Sequence, residues 1–231
     1  MRKIWIFAAL AAALLLPCGA SEIEEAAGYV ALTFDDGPSG PITEALLDGL
    51  RERDASATFF LCGYRMQEYP GPLARYVQEG HEVGVHSTVH TDLTKLSPED
   101  LRRDIQDTAD AITAAIGVRP TLLRPPGGAW NERVRQEAES EGLSIVLWSV
   151  DPRDWSVRDA STVLAAMAGT VRDGDIILMH DMSRSSVEAA LRLVDDLSAR
   201  GYRFVTVSEL SARKGQPAAP GTVIRGFSEG S

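Results

Sequence analysis

Two histidines and two aspartates give the first chemical lead. His86 and His90 are spaced i, i+4, so that on one helical turn both imidazoles reach a single ion. Asp35 and Asp36 are adjacent and follow the apolar run 29–34. Neighbouring carboxylates repel each other unless a cation sits close. Two imidazoles and one carboxylate suit Zn²⁺ or a similar transition metal, with one position left open for water. The second carboxylate is then free to take a proton from that water. An isolated Asp, with an ordinary pKa of about 3.9, is a weak base. A metal that lowers the water's pKa to about 7 makes the transfer feasible. Each pair has a plainer reading when taken alone. The histidines would be a solvated helix face, and Asp36-Gly37-Pro38 is ordinary turn chemistry.

Three further residues extend the lead. Arg124 is suited to hold a carboxylate ionised and oriented, its plainer reading being a rim ion pair. Cleaving an amide requires the leaving nitrogen to gain a proton. His180, with an ordinary pKa of about 6.5, suits that general-acid role. Asp154 beside it would hold it protonated; without such a partner His180 is a satisfied strand-end histidine. His81 precedes an apolar run, on the opposite rim, and is expected to be structural. Cys62 ends an apolar run and reads as a buried, inert thiol.

These residues must be positioned by regular elements. Short β-like runs cover 29–34, 57–61, 82–86, 121–124, 143–150, 175–179 and 203–207. Amphipathic, helix-like segments lie between them at 42–54, 97–116, 131–141, 159–171 and 186–200. The second is the clearest, with Ser97 as N-cap, Pro98 at the first helical position and Gly117 as its stop. Alternating strands and helices predict an α/β chain with a parallel sheet, open or closed, in a single domain over 29–212. Asp35-Asp36, His86, Arg124, Asp154 and His180-Asp181 all fall at or just past the C-terminal ends of predicted strands. In an α/β barrel that edge is where sites are assembled from several strands.

The remaining sequence bounds location and partners. Arg2 and Lys3 precede a 13-residue apolar run at 4–16, followed by Pro17 and the small residues Cys18-Gly19-Ala20. This reads as a signal peptide over 1–20 and an exported protein, secreted or associated with the cell envelope. A second reading is a lipid anchor at Cys18. Losing Arg2 and Lys3 with the signal would move the formal charge from −10 to −12. That acidity disfavours nucleic acid and anionic membranes as partners. No stable protein partner is implied. Residues 21–28 form an acidic lead, and 213–231, rich in Gly, Pro and Ala, is expected to be a loosely ordered tail.

Five ordered motifs carry a family resemblance. They are Thr33-Phe34-Asp35-Asp36-Gly37-Pro38, His86-Ser87-Thr88-Val89-His90, Arg124-Pro125-Pro126-Gly127, Asp151-Pro152-Arg153-Asp154-Trp155 and Leu178-Met179-His180. Together they resemble the polysaccharide deacetylases of carbohydrate esterase family four, the nodulation-deacetylase homology domain. The resemblance implies a distorted (β/α) barrel of about seven strands and a divalent metal, usually zinc, with cobalt or another transition metal as alternatives. It implies Asp35 as base, Asp36, His86 and His90 as metal ligands, Arg124 as the residue orienting Asp35, and Asp154 as the partner of the acid His180. Trp155 and Leu178 would line the acetyl pocket beside Pro126 and Gly127. Gly127 stands where the family commonly has an aromatic residue; it keeps the N–H that helps hold the oxyanion and loses the ring. Val85 stands where the family often has Asn.

The expected reaction is hydrolysis of the acetamide of N-acetylated amino sugars in a polysaccharide such as peptidoglycan or a chitin-like chain, releasing acetate. Three rivals stand beside it. An O-acetyl esterase on acetylated xylan would depend less on His180. A glycan-binding pseudoenzyme would be expected to lack a ligand or the base. A glycoside hydrolase would need two carboxylates flanking a glycosidic bond about 5–10 Å apart, which adjacent Asp35 and Asp36 fit poorly.

Overall fold

The computed structural model describes residues 26–228. The sequence-derived signal peptide and most of the acidic lead lie outside the described residues. Eight strands form one sheet in which every pairing is parallel: β1 (Gly28–Gly37), β2 (Thr58–Cys62), β3 (Glu82–Ser87), β4 (Leu122–Leu123), β5 (Ser144–Val146), β6 (Ile176–His180), β7 (Tyr202–Phe204) and β8 (Val223–Ile224). Their order is β6-β1-β2-β3-β4-β5-β8, with β7 beside the first residues of β1. Past β5 the chain crosses to β6, where Ser149 N–H donates to the Ile176 carbonyl at 3.0 Å and Leu178 N–H to the Val150 carbonyl at 2.9 Å. That link curls the sheet into a distorted barrel.

Eight helices flank the strands: α1 (Pro41–Arg51), α2 (Gly63–Glu68), α3 (Leu73–Gln78), α4 (Pro98–Ile116), α5 (Glu132–Ser140), α6 (Ala160–Met167), α7 (Arg184–Ala199) and α8 (Val207–Arg213). Ser97 caps α4, its side chain accepting from the Asp100 N–H, and Gly117 ends it in the left-handed conformation. No described helix is long and apolar enough to cross a membrane.

Alternation along β1 explains the layers. Val30, Leu32 and Phe34 share the outer core with Leu46, Leu47 and Leu50 of α1, Leu101 and Ile105 of α4, and Leu193 and Val194 of α7. Ala31, Thr33 and Asp35 point the other way. Ala31 joins Phe60, Leu122, Val146, Ile176, Val207, Leu210 and Ile224 in a second cluster inside the curl. Above that cluster the inward positions turn polar.

Two expectations are corrected. The stretch from Arg213 is ordered over its described part. Val223–Ile224 pairs with β5 as an eighth strand, and Ile224 and Phe227 pack in the inner cluster. Two residues are too few to leave a periodic signal among Gly, Pro and Ala, so the strand is set by tertiary pairing. His86 and His90 do not share a helical turn. His86 is the next-to-last residue of β3, where the β-branched Val85 pairs with both β2 and β4 and Val83 with β2, and His90 sits in the following loop at φ 57°.

Candidate active site

The sheet register assembles the site. Asp35 on β1 lies level with His180 on β6, so a base and an acid candidate face one opening. Val85 of β3 pairs with Leu123 of β4, which sets Arg124 beside His86. The Arg124 side chain is fully buried. Its Nη1 donates to Asp35 Oδ1 at 2.8 Å and to Thr33 Oγ at 2.7 Å. Its Nη2 donates to the Leu147 carbonyl at 2.9 Å, its Nε to the Val146 carbonyl at 3.2 Å, and the guanidinium lies 4.2 Å from the centre of the Phe60 ring. Burial lowers its pKa and the Asp35 charge opposes that shift. A buried charge so fully partnered fixes the carboxylate it meets.

Asp36, His86 and His90 converge. Asp36 Oδ1 lies 3.2 Å from His86 Nε2 and 3.3 Å from His90 Nε2. His86 Nδ1 is 2.7 Å from the Arg124 carbonyl, a group that only accepts, so Nδ1 carries a proton and Nε2 is the ring atom turned to Asp36. Asp36 Oδ1 is buried with no hydrogen-bond partner among the described residues. A buried carboxylate oxygen facing two imidazole nitrogens is an arrangement that a cation held between them would satisfy. Tetrahedral ligands about 2.1 Å from one zinc ion lie roughly 3.4 Å apart, close to the separations seen here. The donor set therefore fits a divalent metal, as one oxygen and two nitrogens from three residues whose ligand atoms all lie within 4.8 Å of one another.

Backbone strain aims these side chains. Asp36 (φ 69°), His90 (φ 57°) and Arg153 (φ 57°) are left-handed although none is glycine. Such conformations cost about 1–3 kcal/mol each and persist where the surroundings fix them. The loop carrying His90 is held from α4: Thr88 N–H donates to both Asp104 carboxylate oxygens at 3.1 and 3.2 Å.

On the opposite wall, His180 Nδ1 lies 2.8 Å from Asp154 Oδ1, and the His180 backbone N–H donates to Asp154 Oδ2 at 2.9 Å. Burial lowers the His180 pKa, but the Asp154 hydrogen bond and charge, with Asp35 and Asp36 behind them, reverse the shift and raise it. The cleft encloses about 400 Å³ and is lined by Asp35, Asp36, His86, His90, Gly127, Trp148, Asp151, Trp155, Leu178 and His180. Leu178 is buried at its floor, while Trp155 stands on the rim, 60% exposed. Gly127 sits at φ 62° with open space where a side chain would be. Pro126, expected in the pocket, is buried beneath the loop and does not line the cleft, because the Gly127-Gly128 turn carries the chain over it.

The sequence reading did not single out Trp148, Thr33 and Asp104. Trp148 lay inside the β-like run 143–150, at its rim end, a position that carried a usable signal. Thr33 stood in the first motif without a role of its own, which its contact with Arg124 supplies, and Asp104 is recognisable only from its contact with Thr88, 16 residues away. His81 is on the far rim, accepting from the Ala57 N–H at 3.1 Å, and Cys62 is buried with its thiol pKa raised by that burial.

The polysaccharide deacetylase family model matches residues 23–146. The chain belongs to the polysaccharide deacetylase family. It is 43% identical over 190 residues to the peptidoglycan-N-acetylmuramic acid deacetylase PdaC of Bacillus subtilis, covering 82% of this chain and 40% of that protein. The solved PdaC structure superimposes with a TM-score of 0.78 over 82% of this chain and 92% of the other. A peptidoglycan-N-acetylglucosamine deacetylase of Bacillus cereus is 41% identical over 186 residues, covering 78% of this chain and 87% of that protein. A family 4 acetyl xylan esterase from Clostridium thermocellum, solved with a cobalt ion, gives a TM-score of 0.80 at 34% identity over 86% of this chain and 98% of that one. The chain spans about two-fifths of the length of PdaC.

Proposed function

We propose that this polysaccharide deacetylase hydrolyses the acetamide of N-acetylated amino sugars in a cell-wall glycan, releasing acetate and a free amine. The observation that carries the reading is the Asp36–His86–His90 donor triangle with Asp35 on one side and His180 on the other. Support comes from two relatives named as peptidoglycan deacetylases, one of them matched over 87% of its length.

Asp36, His86 and His90 would hold a divalent cation, zinc by donor type. When bound, such an ion acts as a Lewis acid that polarises the carbonyl and acidifies water. Asp35 then takes the proton of the attacking water. Its Oδ1 is tied to Arg124, which leaves Oδ2 toward the cleft, 3.9 Å from His86 Nε2. Gly127 lines the cleft, and its N–H would donate to the developing oxyanion. Leu178 and Trp148 offer apolar walls to the acetyl methyl, and Trp155 a face for a sugar ring. His180, kept protonated by Asp154, gives its proton to the departing nitrogen as the C–N bond breaks. The protein acts outside the cytoplasm, exported by its first twenty residues.

An O-acetyl esterase is the second reading, favoured by the likeness to the acetyl xylan esterase. Acetate release on peptidoglycan, chitin oligomers and acetylated xylan, each with and without a chelator, separates the two. Chelator-sensitive release from the amides is expected; release from acetylated xylan alone would overturn the amide reading.

A further inference from the structure

We propose that Asp181 is a positioning residue, clamping the metal-ligand arm of β1 and the acid of β6 into one frame through Thr43 and Gly37. The proposal rests on the metal-site reading above.

Asp181 directly follows His180, yet its side chain is fully buried and takes no part in lining the cleft. The Thr43 hydroxyl, in the first turn of α1, donates to Asp181 Oδ2. The same Thr43 oxygen accepts from the Ser39 N–H at 2.6 Å, and Ser39 Oγ accepts from Arg65 Nη2 at 2.9 Å. On its other side the carboxyl lies flat against Gly37. A side chain at Gly37 would place its Cβ 2.7 and 2.9 Å from the two Asp181 oxygens, so glycine is required there for lack of space. Asp181 Oδ1 has no hydrogen-bond partner among the described residues.

Gly37 is the residue after Asp36, whose left-handed backbone swings the Asp36 carboxylate toward His86 and His90. Strained backbone holds only where its surroundings over-determine it. Asp36 is fixed on one side by the β1–β6 register up to Asp35 and His180. On the other, the Asp181 wall and its link to α1 set where Gly37, Pro38 and Ser39 run. Gly40 provides no side-chain cap for α1, and Thr43 pins that first turn to Asp181, the residue directly after β6. A carboxyl carrying an unpartnered buried oxygen is a poor choice for stability alone. It is a good choice for holding two catalytic arms, 145 residues apart from Asp35 to His180, at one spacing.

The test uses the full chain and three variants, Asp181→Ala, Asp181→Asn and Thr43→Val, each checked for fold by circular dichroism. Zn²⁺ affinity is measured by calorimetry on metal-free protein, and kcat and KM on an N-acetylglucosamine oligomer. Asp181→Ala is expected to weaken Zn²⁺ binding by about 10–100-fold and to lower kcat by a similar factor. KM should stay within about twofold, since the sugar contacts are untouched. Asp181→Asn, which keeps the shape and the Thr43 acceptor, should recover most of both losses, and Thr43→Val should fall between. A folded Asp181→Ala with wild-type Zn²⁺ affinity and kcat overturns the proposal, as does an equal loss in Asp181→Asn and Asp181→Ala. If Asp181→Ala does not fold, Thr43→Val decides, and wild-type affinity and kcat in that variant overturn the proposal. Failure of the unmutated protein to bind Zn²⁺ would instead strike the metal-site reading, and this proposal with it.

Discussion

Each rim of the barrel holds a histidine largely shielded from solvent, His81 at one and His180 at the other, and the two behave in opposite ways. His81, at the N-terminal rim, packs edge-on to the Phe59 ring, and among the described residues its ring makes one hydrogen bond, accepted from the Ala57 N–H. Burial pushes its pKa down to about 4. His180, at the C-terminal rim, is part-buried, but Asp154 meets it at 2.8 Å and its pKa rises. Burial by itself makes a neutral imidazole; burial against a carboxylate makes a proton donor. The contrast extends to whole rims. Glu82 at the N-terminal end of β3 is satisfied by Thr58 and Ser208. At the other end of the same strand, Asp36 Oδ1 is left to face two imidazole nitrogens. Among the described residues, four of the five non-glycine residues with positive φ (Asp36, Ser87, His90 and Arg153) lie toward the rim where chemistry is proposed, and one, Asp54, lies before β2; a buried polar atom without a partner occurs at each rim, Asp36 Oδ1 at one and His81 Nε2 at the other.

The largest expected effect separates the rims outright. His86→Ala should abolish stoichiometric Zn²⁺ binding and lower kcat/KM by about 10³-fold or more, as removal of a ligand should. His81→Ala should leave kcat/KM within about twofold while lowering stability by roughly 1–3 kcal/mol. Calorimetry and acetate release read both. Equal losses at the two positions would break the comparison.

Next in size is the acid. His180→Ala should cost about 10²–10⁴ in kcat on an N-acetylated glycan and clearly less on an O-acetylated one, because an alkoxide leaves more easily than an amide nitrogen. Parallel losses on the two substrates would remove the reason for assigning His180 a proton.

These contrasts also mark what the sequence made legible. Apolar runs bounded by turns gave seven of the strands, and reading their C-terminal ends brought Asp35, Asp36, His86, Arg124, Asp154 and His180 together correctly. Periodicity failed where elements are short or set by pairing: α2, α3, α8 and the two-residue β8. It also failed for the supports. Asp104 and Thr88 are 16 residues apart, and Thr43 and Asp181 are 138 apart. Nothing local marks such residues, because their role is a contact. The i, i+4 spacing of His86 and His90 led to two converging rings through the wrong geometry: a strand and a strained loop bring them together in place of a helix.

Two smaller effects sharpen the comparison through pH. His180 acts as an acid, so activity should fall as pH rises through its raised pKa, placing the alkaline limb of kcat/KM above about 6.5. Asp154→Asn removes the group that raises it, and the limb should move to lower pH; an unmoved limb would assign it elsewhere. His81 should leave no limb and show instead in stability. Its folded pKa of about 4 lies below the unfolded value, so stability is full above about 6.5 and declines as pH falls toward 4. The decline is on the order of 3 kcal/mol, and denaturant unfolding of a His81→Gln variant should lack it.

The most direct test of the central claim is to strip the protein of metal, add Zn²⁺ in fractions of an equivalent, and measure acetate release from an N-acetylated glycan at each step. Release is expected to start from zero, rise linearly and level off at one ion per chain, with no rise in a His90→Ala variant. Undiminished release from the stripped protein, or a rise in that variant matching the unmutated chain, would contradict a site built on Asp36, His86 and His90.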